Sequence, residues 1–420
     1  MTQRNGVTAG RDTTGMIFDL IRSAGTVSRV QLAGRSGLTE ASVSRIVKQL
    51  LADGVVAETG RGVSTGGKRP TLLELNASSR HAVGVLLGDT RISFVLTDLA
   101  GRIVVSTESE GIAHQTRSAV VTRMARDLET LIDDAGVNRS NVLGVGVATP
   151  GRREISGYLT RAHPLDYAEW AWHAIEQDLA DATGMRITVE NDSTCAAIGE
   201  FWISRAPAAS HFAVLNMAHG FGVGLVTSGD VYRGSTSNVG EIGHMVLDVD
   251  GPECPCGSRG CLELLASPLR IADKARHVDG LADRLGISRA GNDNWEDYER
   301  IAGAAMEGDT DALALIEASA RILGAALVSL TNVLDLDHVV LTGPGFDIAG
   351  PIYARVVADE LDRLAFVRNV HATAVRLSES AKDSSALGAA TLVIHQQLGG
   401  FRRGPGIAGD LPTPAAVPST

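Results

Sequence analysis

The chain has 420 residues, of which 44% are hydrophobic and 21% charged, with a net charge of −11. That length suggests two or three domains, because cores of ~100–200 residues are the usual unit. No uninterrupted apolar run reaches the ~18 residues that span a bilayer. The start, Met1-Thr2-Gln3-Arg4-Asn5-Gly6, lacks the apolar stretch of a signal peptide, so a cytoplasmic protein is expected. Residues 1–76 carry ten Lys/Arg against six Asp/Glu, a net +4 that leaves −15 on the remainder. A basic head on an acidic body is the asymmetry expected where one small domain meets phosphate and the rest must not.

In chain order, Met16, Ile17, Leu20 and Ile21 form one apolar stripe, which predicts a first helix ending near Gly25. Ser28-Arg29-Val30-Gln31 matches a capping box that starts a short second helix running to about Ser36, with Gly37 as the tight turn. Thr39 caps a third helix, on which Val43, Ile46, Val47, Leu50 and Leu51 face inward. The opposite face shows Glu40, Ser42, Ser44, Arg45 and Lys48, and Asp53-Gly54 stops the helix. Val55-Val56-Ala57-Glu58 and Thr71-Leu72-Leu73-Glu74-Leu75 read as strands flanking the Gly-rich loop 60–70.

Two short helices joined by a glycine turn, the second small, polar and basic on its outer face, form a DNA-reading unit. A three-helix packing module with a solvated face carries a similar pattern. Lys68 and Arg69 favour DNA: they sit between glycines and a proline, where cationic side chains reach into a narrow A·T-rich minor groove. Thr39, Glu40, Ser42, Ser44, Arg45, Lys48, Lys68 and Arg69 are therefore the candidate contacts to double-stranded operator DNA.

After a linker at residues 76–79, apolar alternation predicts strands over 82–87, 92–97 and 103–106. Further strands are expected at 143–148, 187–189, 212–217, 223–226 and 339–341, and a long helix over 312–333. Strands followed by helices, twice over, suggest two α/β lobes. Between the later strands lies Gly240-Glu241-Ile242-Gly243-His244, then Cys254-Pro255-Cys256-Gly257-Ser258-Arg259-Gly260-Cys261-Leu262-Glu263. One imidazole and three thiolates, His244, Cys254, Cys256 and Cys261, supply the tetrahedral N/S set of a structural zinc site. A disulfide is the alternative, but reduced surroundings and an odd group of three argue against it. Cys195 lies apart, in a probable helix. Residues 279–300, polar and containing Trp295, carry no assigned function. Residues 401–420, rich in proline and small residues, read as a disordered tail, and residues 1–10 as loose.

Glu-Ile-Gly-His followed by Cys-x-Cys-Gly-x-x-Gly-Cys-x-Glu resembles the zinc and sugar signature of the ROK family of repressors, open reading frames and sugar kinases, and the likeness runs from about Thr13 to about Leu398. The resemblance implies an α/β chain in three parts. Residues 1–76 would be a winged helix-turn-helix and residues 77–400 a two-lobed, actin-like (ribonuclease-H-like) body with a structural zinc, followed by the tail at 401–420. In the family's kinases an Asp-x-Gly-Gly-Thr-like turn cups ATP phosphates. Here the matching residues are Leu86-Leu87-Gly88-Asp89-Thr90, with Leu86 at the carboxylate position and Asp89 where a glycine should approach phosphate. The second phosphate loop reads Ala218-His219-Gly220-Phe221-Gly222-Val223-Gly224 and has lost its Gly-Thr pair. The sugar side is better kept. Glu190-Asn191-Asp192 matches the family's Glu-Asn-Asp motif, and Gly151, Arg152, Glu241, His244 and Glu263 match the remaining sugar ligands. Retained sugar ligands beside altered phosphate loops imply a sugar-responsive transcriptional regulator, active as a dimer or tetramer, rather than an enzyme. A sugar kinase with an appended DNA-binding head is the alternative.

Overall fold

The computed structural model describes residues 13–62, 69–113, 115–151, 172–204, 210–228, 230–288 and 294–398. The head begins with α1 (Thr13–Ala24), on which Ile17, Phe18 and Ile21 are fully buried. The expected stripe is turned: Met16 and Leu20 are only half-buried, and Phe18 and Arg22 lie inside. Helix α1 is covered on a second face by the body, which no stripe within the helix can reveal. A two-residue strand not anticipated, β1 (Val27–Ser28), leads into α2 (Arg29–Ser36). Ser28 Oγ accepts from the Gln31 N–H at 3.3 Å, and Gln31 Oε1 accepts from the Ser28 N–H at 2.9 Å. Gly37 closes α2 at φ +69°, a left-handed turn that costs other residues strain. Helix α3 (Glu40–Ala52) follows, then β2 (Val56–Arg61) and β3 (Thr71–Leu75), in a sheet ordered β1-β3-β2. Strand β2 takes in Gly60 and Arg61 past a bulge at Glu58, so the loop starts later than expected.

The first lobe opens with an antiparallel meander, β4 (His81–Leu87), β5 (Arg91–Asp98) and β6 (Ile103–Glu110). Helix α4 (Arg117–Asp134), β7 (Val142–Thr149), α5 (Trp172–Thr183) and β8 (Ile187–Asn191) then add two strands parallel to β4. Helix α6 (Asp192–Ile203) crosses to the second lobe, where β9 (Phe212–Met217), β10 (Phe221–Thr227) and β11 (Asp230–Tyr232) form another antiparallel meander. Helices α7 (Leu262–Ala266), α8 (Pro268–Ala275), α9 (Leu281–Leu285), α10 (Asn294–Glu307) and α11 (Thr310–Leu334) come next. The lobe ends with β12 (His338–Thr342), α12 (Gly350–Leu364) and β13 (Ala374–Leu377). The two sheets, β6-β5-β4-β7-β8 and β11-β10-β9-β12-β13, repeat one strand order. Among the described residues one helix, α11, is long and apolar enough to cross a membrane. Its Ile316, Ala320, Leu323 and Leu327 are fully buried in the second lobe's core.

The last helix, α13 (Ser384–Leu398), returns to pack on β4, β7 and α6. Here backbones nearly touch. A Cβ on Gly388 would fall 1.6 Å from the Cys195 carbonyl oxygen of α6, so only glycine fits. Helices α6 and α13 thereby form one tightly locked pair between the sheets.

Candidate sugar, metal and DNA sites

Strand β8 ends at Asn191, whose side chain caps α6: Oδ1 accepts from the Ser193 and Thr194 N–H groups, each at 3.0 Å. Its Nδ2 donates to the Gly151 carbonyl at 3.2 Å. The amide is thus largely committed to the fold, with one N–H left for a ligand. Asp192 opens α6. Its Oδ1 accepts from the Ser193 N–H at 2.7 Å and its Oδ2 from Asn216 Nδ2 at 3.1 Å. Burial, aided by the charge of Glu241, pushes the Asp192 carboxyl up to about 6 against these hydrogen bonds. Glu241 itself is exposed at the start of a 3₁₀ turn, Ile242–His244. Glu263, in the first turn of α7, reaches back so that its Oε2 would lie 2.3 Å from a Cβ on Gly220 and 2.8 Å from one on Gly243. Asp192, Glu241 and Glu263 therefore gather around the ends of β8 and β10 and the 3₁₀ turn. Arg152 lies outside the described residues.

His244 ends that turn, and its Nδ1 is 3.7 Å from Cys254 Sγ. Cys256 Sγ and Cys261 Sγ are also 3.7 Å apart, and the four candidate ligand atoms lie within 4.8 Å of one another. Zn–S bonds of ~2.3 Å in a tetrahedron place sulfurs about 3.8 Å apart, close to this spacing, whereas a disulfide needs ~2.05 Å. All four cysteines are free thiols. The knuckle is held by the Cys254 N–H on the Ser258 carbonyl at 2.8 Å and by bridges pairing Val246 with Cys261 and Glu253 with Arg259. The set fits a metal ion. It is Nδ1 of His244, not Nε2, that lies beside the Cys254 sulfur.

In the two loops expected to face phosphate in the family's kinases, Leu86 packs against Ala148, Cys195 and Ala389. Asp89 Oδ1 is buried without a hydrogen-bond partner among the described residues. His219 is exposed and lies 5.2 Å, ring to ring, from Trp295 of α10, which meets Tyr298 at 5.7 Å. Tyr298 in turn donates to the Gly345 carbonyl at 2.5 Å. The polar stretch around Trp295, assigned nothing from sequence, thus meets the second loop.

On the head, Glu40, Ser44, Arg45 and Lys48 are exposed along α3, and Arg69 is exposed at the edge of the loop. Thr39 is exposed, but its hydroxyl is used locally, accepting from the Ser42 N–H at 3.2 Å and donating to the half-buried Ser42 Oγ at 3.0 Å. Lys68 lies outside the described residues. Sequence reasoning missed Asn216, a buried amide in the otherwise apolar β9, and that lone polar residue was the available signal. It also missed the ion pair of buried Glu190 with Arg233, which nothing local announces.

A winged helix-turn-helix joined to two lobes of duplicated topology defines the class: a DNA-binding module on an actin-like body. The ROK family profile matches residues 82–396, and a winged helix-turn-helix DNA-binding profile matches residues 11–57. The chain belongs to the ROK family. It is 28% identical over 388 residues to a putative xylose repressor of Caldicellulosiruptor sp., covering 91% of this chain and 95% of that one. In fold it is similar to a ROK family transcriptional regulator described as a homolog of the E. coli MLC protein, with a TM-score of 0.71 at 23% identity over 92% of this chain and 97% of that one. The Streptomyces griseus ROK glucokinase solved with glucose and AMPPNP gives a TM-score of 0.62 at 23% identity, over 74% of this chain and 98% of that one.

Proposed function

We propose that this protein is a sugar-responsive transcriptional repressor of carbohydrate genes. The observation that carries the reading is the joining, in one chain, of a winged helix-turn-helix to a ROK body whose carboxylates Asp192, Glu241 and Glu263 gather around the ends of β8 and β10. Residues 1–76 read operator DNA through α3 and the wing, with Thr39, Glu40, Ser42, Ser44, Arg45, Lys48, Lys68 and Arg69 as contacts. Residues 77–400 bind the sugar through Gly151, Arg152, Asn191, Asp192, Glu241, His244 and Glu263, and residues 401–420 form a tail. A structural zinc on His244, Cys254, Cys256 and Cys261 would stiffen the sugar wall and fix the His244 tautomer. The protein works in the cytoplasm as a homodimer or homotetramer on a two-fold symmetric operator. It is not a kinase: Leu86 and Asp89 cannot hold magnesium and phosphate, and Ala218 and His219 replace the residues of the second loop.

The test selects bound duplexes from a random DNA pool and then measures operator affinity with D-xylose, D-glucose and N-acetyl-D-glucosamine. One sugar should change operator affinity by ~10-fold, within the usual range of coupling. Arg45→Ala should cost ~1–3 kcal/mol and relax specificity, while Lys48→Ala weakens all sequences alike. Sugar-dependent ADP release at ~1 s⁻¹ or faster, as ordinary enzymes show, would place the protein among the kinases.

A further inference from the structure

Helix α6 starts at the carboxylate cluster around Asp192 and ends against the DNA-binding head. Asp192 opens its first turn, and Trp202 lies in its last. Between them, residues 193–199 are all buried, and the close approach of Gly388 to Cys195 locks α6 to α13 along its length. A helix so enclosed moves as a body rather than by bending.

Helix α1 of the head grips the far end. Arg22, only 5% exposed, donates Nη1 to the Trp202 carbonyl at 3.0 Å. Its guanidinium lies 4.3 Å from the Trp202 ring centroid and 5.4 Å from that of Phe201. Arg22 Nε is 3.6 Å from Asp19, which meets His395 Nε2 of α13 at 2.9 Å. His395 in turn stands edge-on to Trp202 at 5.4 Å. The surrounding core is shared: Ile17, Phe18 and Ile21 of the head pack in one cluster with Trp202, Ala390, Val393 and Ile394 of the body. A planar guanidinium stacked on an indole and aimed at one carbonyl tolerates little displacement, so the head must follow α6 or lose the contact.

We infer that Arg22 and Trp202 are the positioning residues through which the carboxylate cluster at Asp192 sets the orientation of the DNA-reading head. This rests on the regulator reading above. A ligand shifts DNA binding only by its differential affinity for two arrangements, and the α6 rod with its Arg22–Trp202 junction is the element whose placement both sites would share.

The experiment uses the full chain, its selected operator, and D-xylose, D-glucose and N-acetyl-D-glucosamine as probes. Operator affinity is measured with and without sugar, and sugar affinity with and without operator, since linkage requires both to shift by one factor. In the wild type that factor should be ~10. Arg22→Met keeps the stem and loses the guanidinium. It should reduce the factor to below about two while sugar affinity of the DNA-free protein stays within about threefold of wild type, a separation that a merely structural role would not give. Trp202→Phe keeps the ring face and the carbonyl, and should retain most of the response. A folded Arg22→Met protein with the full wild-type factor overturns the coupling role and leaves the regulator reading intact. Should Arg22→Met fail to fold, Asp19→Asn tests the same junction: at least a threefold smaller factor supports the role, and an unchanged factor overturns it. A wild type that binds operator but answers none of the sugars removes the regulator reading, and the coupling role with it.

Discussion

The residues around Asp192 and Glu263 and those of the loops at 86–90 and 218–224 differ in what surrounds their side chains. Asp192 and Glu263, the proposed sugar ligands, lie against specific neighbours: Asn216 Nδ2 donates to one carboxylate, and the backbone around Gly220 and Gly243 stands beside the other. His244 follows Gly243 and Cys261 precedes Leu262-Glu263, so a Cys3His set that could hold a metal shares these loops, its ligand atoms within 4.8 Å of one another. In the two loops, Leu86 is turned into apolar packing, Asp89 holds a buried oxygen without a hydrogen-bond partner among the described residues, and His219 meets Trp295. The same duplicated strand order supports both. On the function proposed above, a few loop side chains decide which half of a bipartite ligand such a body holds, while the sheets beneath stay as they are.

Removing the metal should open the widest gap between the two regions. Fresh protein should carry about one zinc per chain, and Cys256→Ser should lose it, because structural zinc contributes ~10–16 kcal/mol of apparent binding energy. Sugar affinity should fall with it as His244 and Glu263 lose their support. Elemental analysis finding no metal in fresh protein, with sugar affinity unaltered in the variant, would dissolve the contrast.

Next in size is Asp192→Ala, which should weaken sugar binding by ~100-fold or more if two charge-assisted hydrogen bonds of about 1.5–3 kcal/mol each are lost. Operator affinity without sugar should change little. Calorimetry with the responsive sugar settles the point, and an unchanged affinity would remove Asp192 from the binding set.

A smaller effect concerns stability. Burial raises the Asp192 carboxyl from 3.8 to about 6, so the folded state holds this proton more tightly than the unfolded state. The ionised group therefore opposes folding fully above pH about 6, and the penalty disappears as pH falls toward 3.8. Asp192→Asn, with the Asn216 amide turned to present its oxygen, should stabilise the sugar-free protein by up to about 3 kcal/mol at pH 8 and by nothing near pH 3.8. Denaturant titrations at several pH values check this; a gain independent of pH would refute the cause.

The smallest effect is expected in the loop at 86–90. Asp89→Gly removes a buried unpartnered acceptor, a gain of ~1–3 kcal/mol, but adds backbone freedom costing ~0.5–1 kcal/mol. The net change should stay within about 2 kcal/mol, and millimolar ADP should still give no thermal shift. A clear ADP-induced rise in melting temperature would mean that the phosphate side is one substitution from working.

What could be read from sequence was local. The capping box at Ser28 and Gln31, the Gly37 turn, the strand alternation and the Cys-His spacing each depend on residues a few positions apart, and each stands where expected. What could not be read was long-range. Phe18 and Arg22 are buried by a partner about 180 residues away, Glu190 is held by Arg233, and His219 meets Trp295 from a stretch with no motif. Asn191 shows the limit in another way. Its residue type suited a sugar ligand, yet its oxygen is spent on capping α6, a demand visible only once the strand-to-helix turn is known.

The return of α13 also has a consequence for how the chain is made. The head's core contains Ala390, Val393 and Ile394, and α13 also covers β4 and β7 of the first lobe. During synthesis at ~5–20 residues per second, the head emerges first and waits about 15–65 seconds for the helix that seals it. Contacts of such long sequence separation form late. A prematurely terminated chain would present the DNA-reading helix on an unsealed core, exposing Phe18 and Ile21 to aggregation and proteolysis. The head's packing is therefore complete only once α13 has been made and docked.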